Sequence, residues 1–261
     1  MPADATEDRT KTRTATYVYG IVPADVEVEQ GTTGVGDPPG EVRAVRHGDI
    51  AALVSDVELD RPLGRPDDLV AHEELLDASA ADVPVLPLRF GAVVTDDDAV
   101  ASELLEPHHD EFARALQDLD GRAEFIVRGR YDESAILREV LSENDEAASL
   151  HEQIKGTDED ATRDARIRLG EIISEAIGAK REQDTRAVGD ALADHVEASV
   201  VREPTHELDA VFIAFLAETE KEGDLEQALR RLARDWDGRV EFRLLGPLAP
   251  YDFVGAPAPG E

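Results

Sequence analysis

One short pattern limits the possible folds of this chain more than any other feature, because it occurs twice. LQDLDGRAEFIVRG at 116–129 and ARDWDGRVEFRLLG at 233–246 share D-G-R-x-E-F, 117 residues apart. Each copy follows an amphipathic stretch and opens a run of strand character. Asp120–Gly121 and Asp237–Gly238 supply the chemistry of a helix-to-strand turn, since glycine enters the left-handed region without a Cβ penalty. The chain thus reads as using one helix–turn–strand unit twice, with the first copy at a domain junction. From 121 onward the order is strand, helices, strand, helix, strand, which is most of a split βαβ, ferredoxin-like plan.

The remaining elements follow from periodicity and punctuation. TATYVYGIV (14–22) alternates and is rich in Tyr and Val, as a strand requires. EVRAVRHG and DIAALVSDV form two strands around a turn at His47–Gly48–Asp49. Pro66–Ala80 is a helix with proline at its first position and acids in its first turns. Asp96–Asp98 caps a helix through Leu105, and Pro107 starts another with Phe112, Leu116 and Leu119 on one face. Residues 132–201 read as an acidic helical insertion interrupted at Gly156, Gly170 and Gly178. ELDAVFIAFLAE (207–218) is a strand buried on both faces, and EGDLEQALRRLARDW is a helix with acid first and Arg last.

VPVLPLRFGAVV (83–94) reads as a strand that breaks strand rules. Leu86, Leu88, Phe90, Ala92 and Val94 share one face at period 2. Pro87, Arg89 and Gly91 share the other, which carries one fixed positive charge. Proline cannot donate to a ladder, so an edge position is expected. Arg89 has three readings. It pairs with a carboxylate such as Glu124, it docks a partner, or it holds an anion. Near the C-terminus, GPLAPYDF places Pro247, Pro250, Tyr251 and Phe253 in a Pro-rich tail. Its aromatics either cover the sheet or anchor an interface.

Composition excludes several classes of function. There is no cysteine, hence no disulfide, thiolate ligand or cysteine nucleophile. The 59 acidic and 27 basic residues give a net charge of −32, and only four of the basic residues are lysines. At about 1 M salt the Debye length is roughly 3 Å, which screens such self-repulsion. A lysine-poor acidic chain therefore suits a salt-filled cytoplasm. With no basic stripe, nucleic acid is a poor partner. The polar first 16 residues carry no apolar core of a signal peptide, and no stretch approaches 18 apolar residues. A soluble, cytoplasmic protein is expected.

No motif points to catalysis, metal or cofactor. His72–Glu73–Glu74 begins like a zinc helix, but no second histidine follows, so it reads as a solvated helix face. Residues His108–Glu111 point about 100° apart in succession, so they cannot close on one metal. GVGDPPG at 34–40 lacks dinucleotide-loop spacing.

Four stretches together resemble the gas vesicle accessory family GvpF/GvpL. They are Tyr17–Val22, VLPLRFGAVV, DGRAEF and GPLAPYDF, and they fall in the family's order across nearly the whole chain. LPLRFG is the most specific element. The closing motif departs from the family pattern, with smaller residues at Leu248 and Ala249. The resemblance implies an α+β fold of two domains, the second ferredoxin-like (βαβαβ), in agreement with the order read above. The expected layout is a disordered 1–13, an N-terminal α+β domain over 14–119, a second domain over 120–246 containing the 132–201 insertion, and a tail over 247–261. It also implies a non-enzymatic role without cofactor: binding the hydrophobic shell protein and other accessory proteins during assembly of the gas vesicle. The length of the insertion leans toward the GvpL type. A sensor of small molecules or anions, with its site near Arg89, is the alternative.

Overall fold

The structure, a computed structural model, describes residues 14–60, 62–158 and 160–255. The expectations for 1–13 and for the end of the tail, 256–261, lie outside these residues. Helix and sheet are mixed, and the chain forms two compact units. One runs to Ala123 and resumes at Leu248; the other is Glu124–Pro247.

In the first unit, strand β1 (Thr14–Pro23) is central because nearly all its side chains are apolar or aromatic and buried. β2 (Thr33–Gly36) and β3 (Pro39–Glu41) form a small ribbon. β4 (Arg43–His47) and β5 (Ile50–Glu58) make the expected hairpin, and β5 pairs antiparallel with β1. Helix α1 (Pro66–Asp82) buries Asp68, His72, Leu76 and Ala80, one residue in every four, so this stripe is half polar. The Asp68 carboxylate accepts the N–H groups of Gly64 and Arg65, just ahead of the helix, and of Gly36 in β2.

The 83–94 segment does lie at the sheet edge, but it is not one continuous strand. β6 (Leu86–Pro87) pairs with Ile21 and Gly20, β7 (Val93–Val94) pairs with Tyr17 and Thr16, and residues 88–92 bow away between them. Gly20 allows the close approach, since a Cβ there would meet the Leu86 carbonyl oxygen at 2.7 Å. Proline and a left-handed Gly91 prevent an unbroken ladder. Helix α2 (Asp97–Ala99), capped by the Asp96 side chain at 2.9 Å, widens into a π-turn over Val100–Leu105 and continues without a gap into α3 (Glu106–Asp118). Phe112, Leu116 and Leu119 are buried as their spacing requires.

The second unit has β8 (Arg122–Tyr131), α4 (Glu133–Glu143), α5 (Asp145–Ile154), α6 (Arg163–Leu192), β9 (Ala198–Val201), β10 (Asp209–Glu218), α7 (Glu222–Asp235) and β11 (Val240–Leu248). Its sheet order is β11-β8-β10-β9. The two D-G-R-x-E-F copies therefore open adjacent strands, and both turn glycines have positive φ, +68° at Gly121 and +72° at Gly238.

Two helical expectations need correction. Ala198–Val201, assigned to the helical insertion, is a strand antiparallel to β10. Its β-branched valines pack along a pleated edge better than in a helix. Gly170 and Gly178 do not interrupt α6. Each costs helix stability, about 1 kcal/mol relative to Ala, but the buried stripe of Leu169, Ile172, Ile177 and Val188 holds the helix through them. Only Gly156, with φ +70°, marks a break.

An ionic network ties α4 and α6 to the second turn. The Arg239 guanidinium donates from Nε to Glu139 at 2.9 Å and from Nη2 to Asp184 at 2.8 Å. The Tyr131 hydroxyl donates to Asp184 at 2.6 Å, and the Lys180 ammonium lies 2.6 Å from both Glu139 and Glu143.

Candidate functional site

The most constrained polar site described lies under the bowed segment 88–92, where β1, α1 and the sheet edge meet. A chain of hydrogen bonds runs through it. The Gly91 N–H donates to the Tyr17 hydroxyl at 3.1 Å. His72 Nδ1 is 3.0 Å from the same hydroxyl, and Nε2 is 3.2 Å from the Leu88 carbonyl oxygen. A carbonyl only accepts, so Nε2 carries the proton and Nδ1 accepts from Tyr17. This requires neutral histidine. Burial supplies the same answer, lowering the His72 pKa to about 4. Burial also pushes the Tyr17 and Tyr19 hydroxyls upward. All three groups are thus neutral near pH 7.

Aromatic packing completes the site. Tyr19 stacks on His72 at 5.7 Å, Phe90 lies 5.6 Å from His72 and 5.8 Å from Tyr17, and Tyr251 lies 6.4 Å from His72. The Tyr19 hydroxyl accepts the Val35 N–H at 2.7 Å and bonds Ser55 at 2.7 Å. Backbone bonds fasten both ends of the bow: the Leu88 N–H to the Tyr19 carbonyl and the Val18 N–H to the Ala92 carbonyl, each 2.9 Å.

These contacts explain the LPLRFG motif residue by residue. Leu86 and Pro87 are buried against β1, Leu88 is clamped through both backbone groups, and Phe90 packs on His72. Gly91 takes φ +95°, which a side chain would strain. Arg89 points out, exposed, with no hydrogen bond or ion pair among the described residues. Pro87, expected on the same open face as Arg89 and Gly91, is instead buried; Gly91 is exposed. The carboxylate suggested for Arg89 is engaged elsewhere, because Glu124, 1% exposed, accepts from Arg202 at 2.7 Å.

The closing motif returns to the first unit. The Ala249 N–H donates to the Asp77 carboxylate at 2.9 Å, and burial raises the Asp77 pKa. Pro250 and Ala249 are buried, while Pro247, Tyr251 and Phe253 are half-buried; Tyr251 packs against the first core. Pro247 follows a cis peptide bond.

Sequence reasoning missed His72, placing it on a solvated face. The usable signal was its i, i+4 spacing with Leu76 and Ala80, obscured because Asp68 and His72 are polar. His109 lies 3.2 Å from Asp110 and 2.7 Å from Asp49, and hydrogen bonds to Asp110 first and then Asp49 raise its pKa. Among the described residues no group of three or more His, Asp or Glu is placed to hold a metal, and no helix is long and apolar enough to cross a membrane.

Fold and site define a mixed helix-and-sheet protein whose buried polar groups hold an outward-facing edge turn in place. The chain belongs to the gas vesicle synthesis protein GvpL/GvpF family, whose model matches residues 15–255. Gas vesicle protein F of Streptomyces sp. (strain CB03234) is 35% identical over 244 residues, covering 92% of this chain and 99% of the relative. Gas vesicle protein L of the same strain is 29% identical over 272 residues, covering 92% of each. The crystal structure of GvpF from Anabaena sp. PCC7120 matches with a TM-score of 0.75 at 24% identity, covering 94% of this chain and 99% of that one. That of GvpF from Microcystis aeruginosa matches with 0.70 at 21% identity, covering 92% and 98%.

Proposed function

We propose that this protein is a non-enzymatic accessory factor of gas vesicle assembly, acting in the cytoplasm and at the growing vesicle. In this reading it binds the hydrophobic shell protein and other accessory gas vesicle proteins during nucleation or growth. The observation that carries the reading is the family match along residues 15–255. Physical chemistry gives the role its form. A shell protein that stacks edge to edge aggregates when released freely. A partner of net charge −32 keeps a complex dispersed. The exposed Arg89–Gly91 turn, on a sheet edge that Pro87 and the bow keep from free strand pairing, is the contact surface we favour. We read the second unit as a ferredoxin-like domain, supported by its strand order β11-β8-β10-β9.

The test is co-expression with a gas vesicle shell protein and affinity capture in molar potassium chloride. The reading expects soluble co-purification, diminished by Arg89→Glu. A folded protein that captures neither shell protein nor accessory proteins contradicts it.

A further inference from the structure

Among the described residues the two larger sheets have four edges, and three of them carry devices that discourage pairing with another strand. β4 bears Arg43, Arg46 and His47, and the Arg46 guanidinium donates to the Ala24 and Val26 carbonyls. β6 and β7 are parted by the bow, and β6 contains Pro87. β11 presents exposed Glu241 and Arg243 and contains Pro247. β9 differs. Its four residues, Ala-Ser-Val-Val, include no charge and no proline, and three of the four are exposed. Val201, 64% exposed, is the most exposed large apolar side chain among the described residues.

The register of β9 shows which backbone groups face outward. Val201 pairs with Ile213 and Val200 with Ala214, and the Arg202 N–H donates to the Phe212 carbonyl at 2.8 Å. Backbone groups in an antiparallel ladder alternate between the two sides of a strand. Arg202 and Val200 therefore face β10, while Ser199 and Val201 turn their N–H and C=O groups to the open side. An edge of this kind takes an extended, uncharged strand, and β9 is itself such a strand.

We infer that β9 pairs antiparallel with β9 of a second copy, about a two-fold axis at Val201, joining two four-stranded sheets into one of eight strands. Such an interface uses the same patch on both copies. With the axis at Val201, that side chain meets its own counterpart, Ser199 faces Glu203 and Val200 faces Arg202, so no like charges stand opposite each other. An axis at Val200 would instead set Glu197 against Glu203. Residues 199–203 fall well short of the roughly 800 Å² per partner of a stable interface, so the pairing is weak and depends on concentration. Two chains of net charge −32 repel each other in dilute salt, and about 1 M salt screens that repulsion. β9 belongs to the second unit and the Arg89 turn to the first, so the inference stands whether or not that turn binds shell protein.

Analytical ultracentrifugation of the full chain in about 1 M and about 0.15 M potassium chloride tests it. The expected result is a reversible monomer–dimer equilibrium whose dimer fraction rises with protein concentration and with salt. Val201→Lys puts like charges on the axis. Ser199→Pro removes an outward N–H and leaves the ladder to β10 intact. Each should weaken association at least about tenfold, and circular dichroism and the melting temperature check that the fold holds. In a chain without cysteine, oxidised Val201→Cys should link two copies, because residues exchanging both hydrogen bonds stand about 5.5 Å apart at Cα, within disulfide range. Four results overturn the inference: a monomer at every concentration in molar salt, a dimer that weakens as salt rises, a dimer that survives both Val201→Lys and Ser199→Pro, or a Val201→Cys chain that stays unlinked under oxidation.

Discussion

The two units solve the same problem, holding a backbone turn in a fixed place, with opposite chemistry. In the first, the bow at 88–92 is gripped by a neutral, buried relay of Gly91, Tyr17, His72 and Leu88. In the second, the turn that carries Arg239 is gripped by a charged, partly buried network of Glu139, Asp184 and Lys180, with side chains 9–26% exposed. The lesson concerns environment. Salt screens exposed ion pairs, whereas hydrogen bonds between uncharged buried groups are insensitive to salt. The turn proposed to meet a partner is the one held by the salt-insensitive device.

The comparison breaks most sharply at His72. His72→Ala removes a buried ring, leaves the Tyr17 O–H without its acceptor and the Leu88 carbonyl without its donor, and costs about 4 kcal/mol. Hydrogen exchange should show this loss at the β1 amides before those of β10.

Acid sharpens the contrast next. The His72 pKa falls from its ordinary 6.5 to about 4 in the folded state. The unfolded chain therefore takes up the proton first. The contribution of His72 is complete above pH 6.5 and declines as pH falls to about 4, a loss of about 3 kcal/mol at 1.36 kcal/mol per pH unit. Glu139, whose pKa is lowered by Arg239 and Lys180 against the effect of burial, behaves differently. Its contribution is present above the ordinary carboxylate value of 4.5 and is lost only below it. Denaturant titrations from pH 7 to 5 should weaken the first unit and leave the second nearly unchanged.

Tyr17→Phe keeps the ring packing but orphans the Gly91 N–H and His72 Nδ1. A loss of about 2 kcal/mol is expected from chemical denaturation. Gly91→Ala meets no atom within 4 Å, so only its φ of +95° opposes it, at about 1 kcal/mol. Lys180→Met should change stability by less than about 1 kcal/mol, with the difference shrinking further as potassium chloride is raised.

Much of the fold was legible in the sequence where one signal governed. The β4–β5 hairpin, α3 and the paired Asp–Gly turns follow from alternation, helical spacing and glycine chemistry. The break between β6 and β7 was hidden, because period-2 alternation persists across 86–94 while Gly91 and the Tyr17 hydroxyl redirect the chain. β9 was hidden by the long helical stretch before it, since four residues are too few for a period to register. At the site, Phe90 and Gly91 drew notice as parts of a motif, but their partner His72 lies 18 residues earlier on a helix whose buried stripe is half polar. Periodicity read from apolar residues alone does not find such a stripe. Glu124 looked like a partner for Arg89 because sequence gives charge without position; Arg202, which holds it, lies 78 residues away.

The most direct measurement is the nitrogen chemical shifts of the His72 ring by NMR as pH falls from 8 to 4. The neutral clamp predicts a single Nε2–H tautomer that persists without titration until about pH 4. A ring that exchanges between tautomers, or that protonates near its ordinary 6.5, would contradict it.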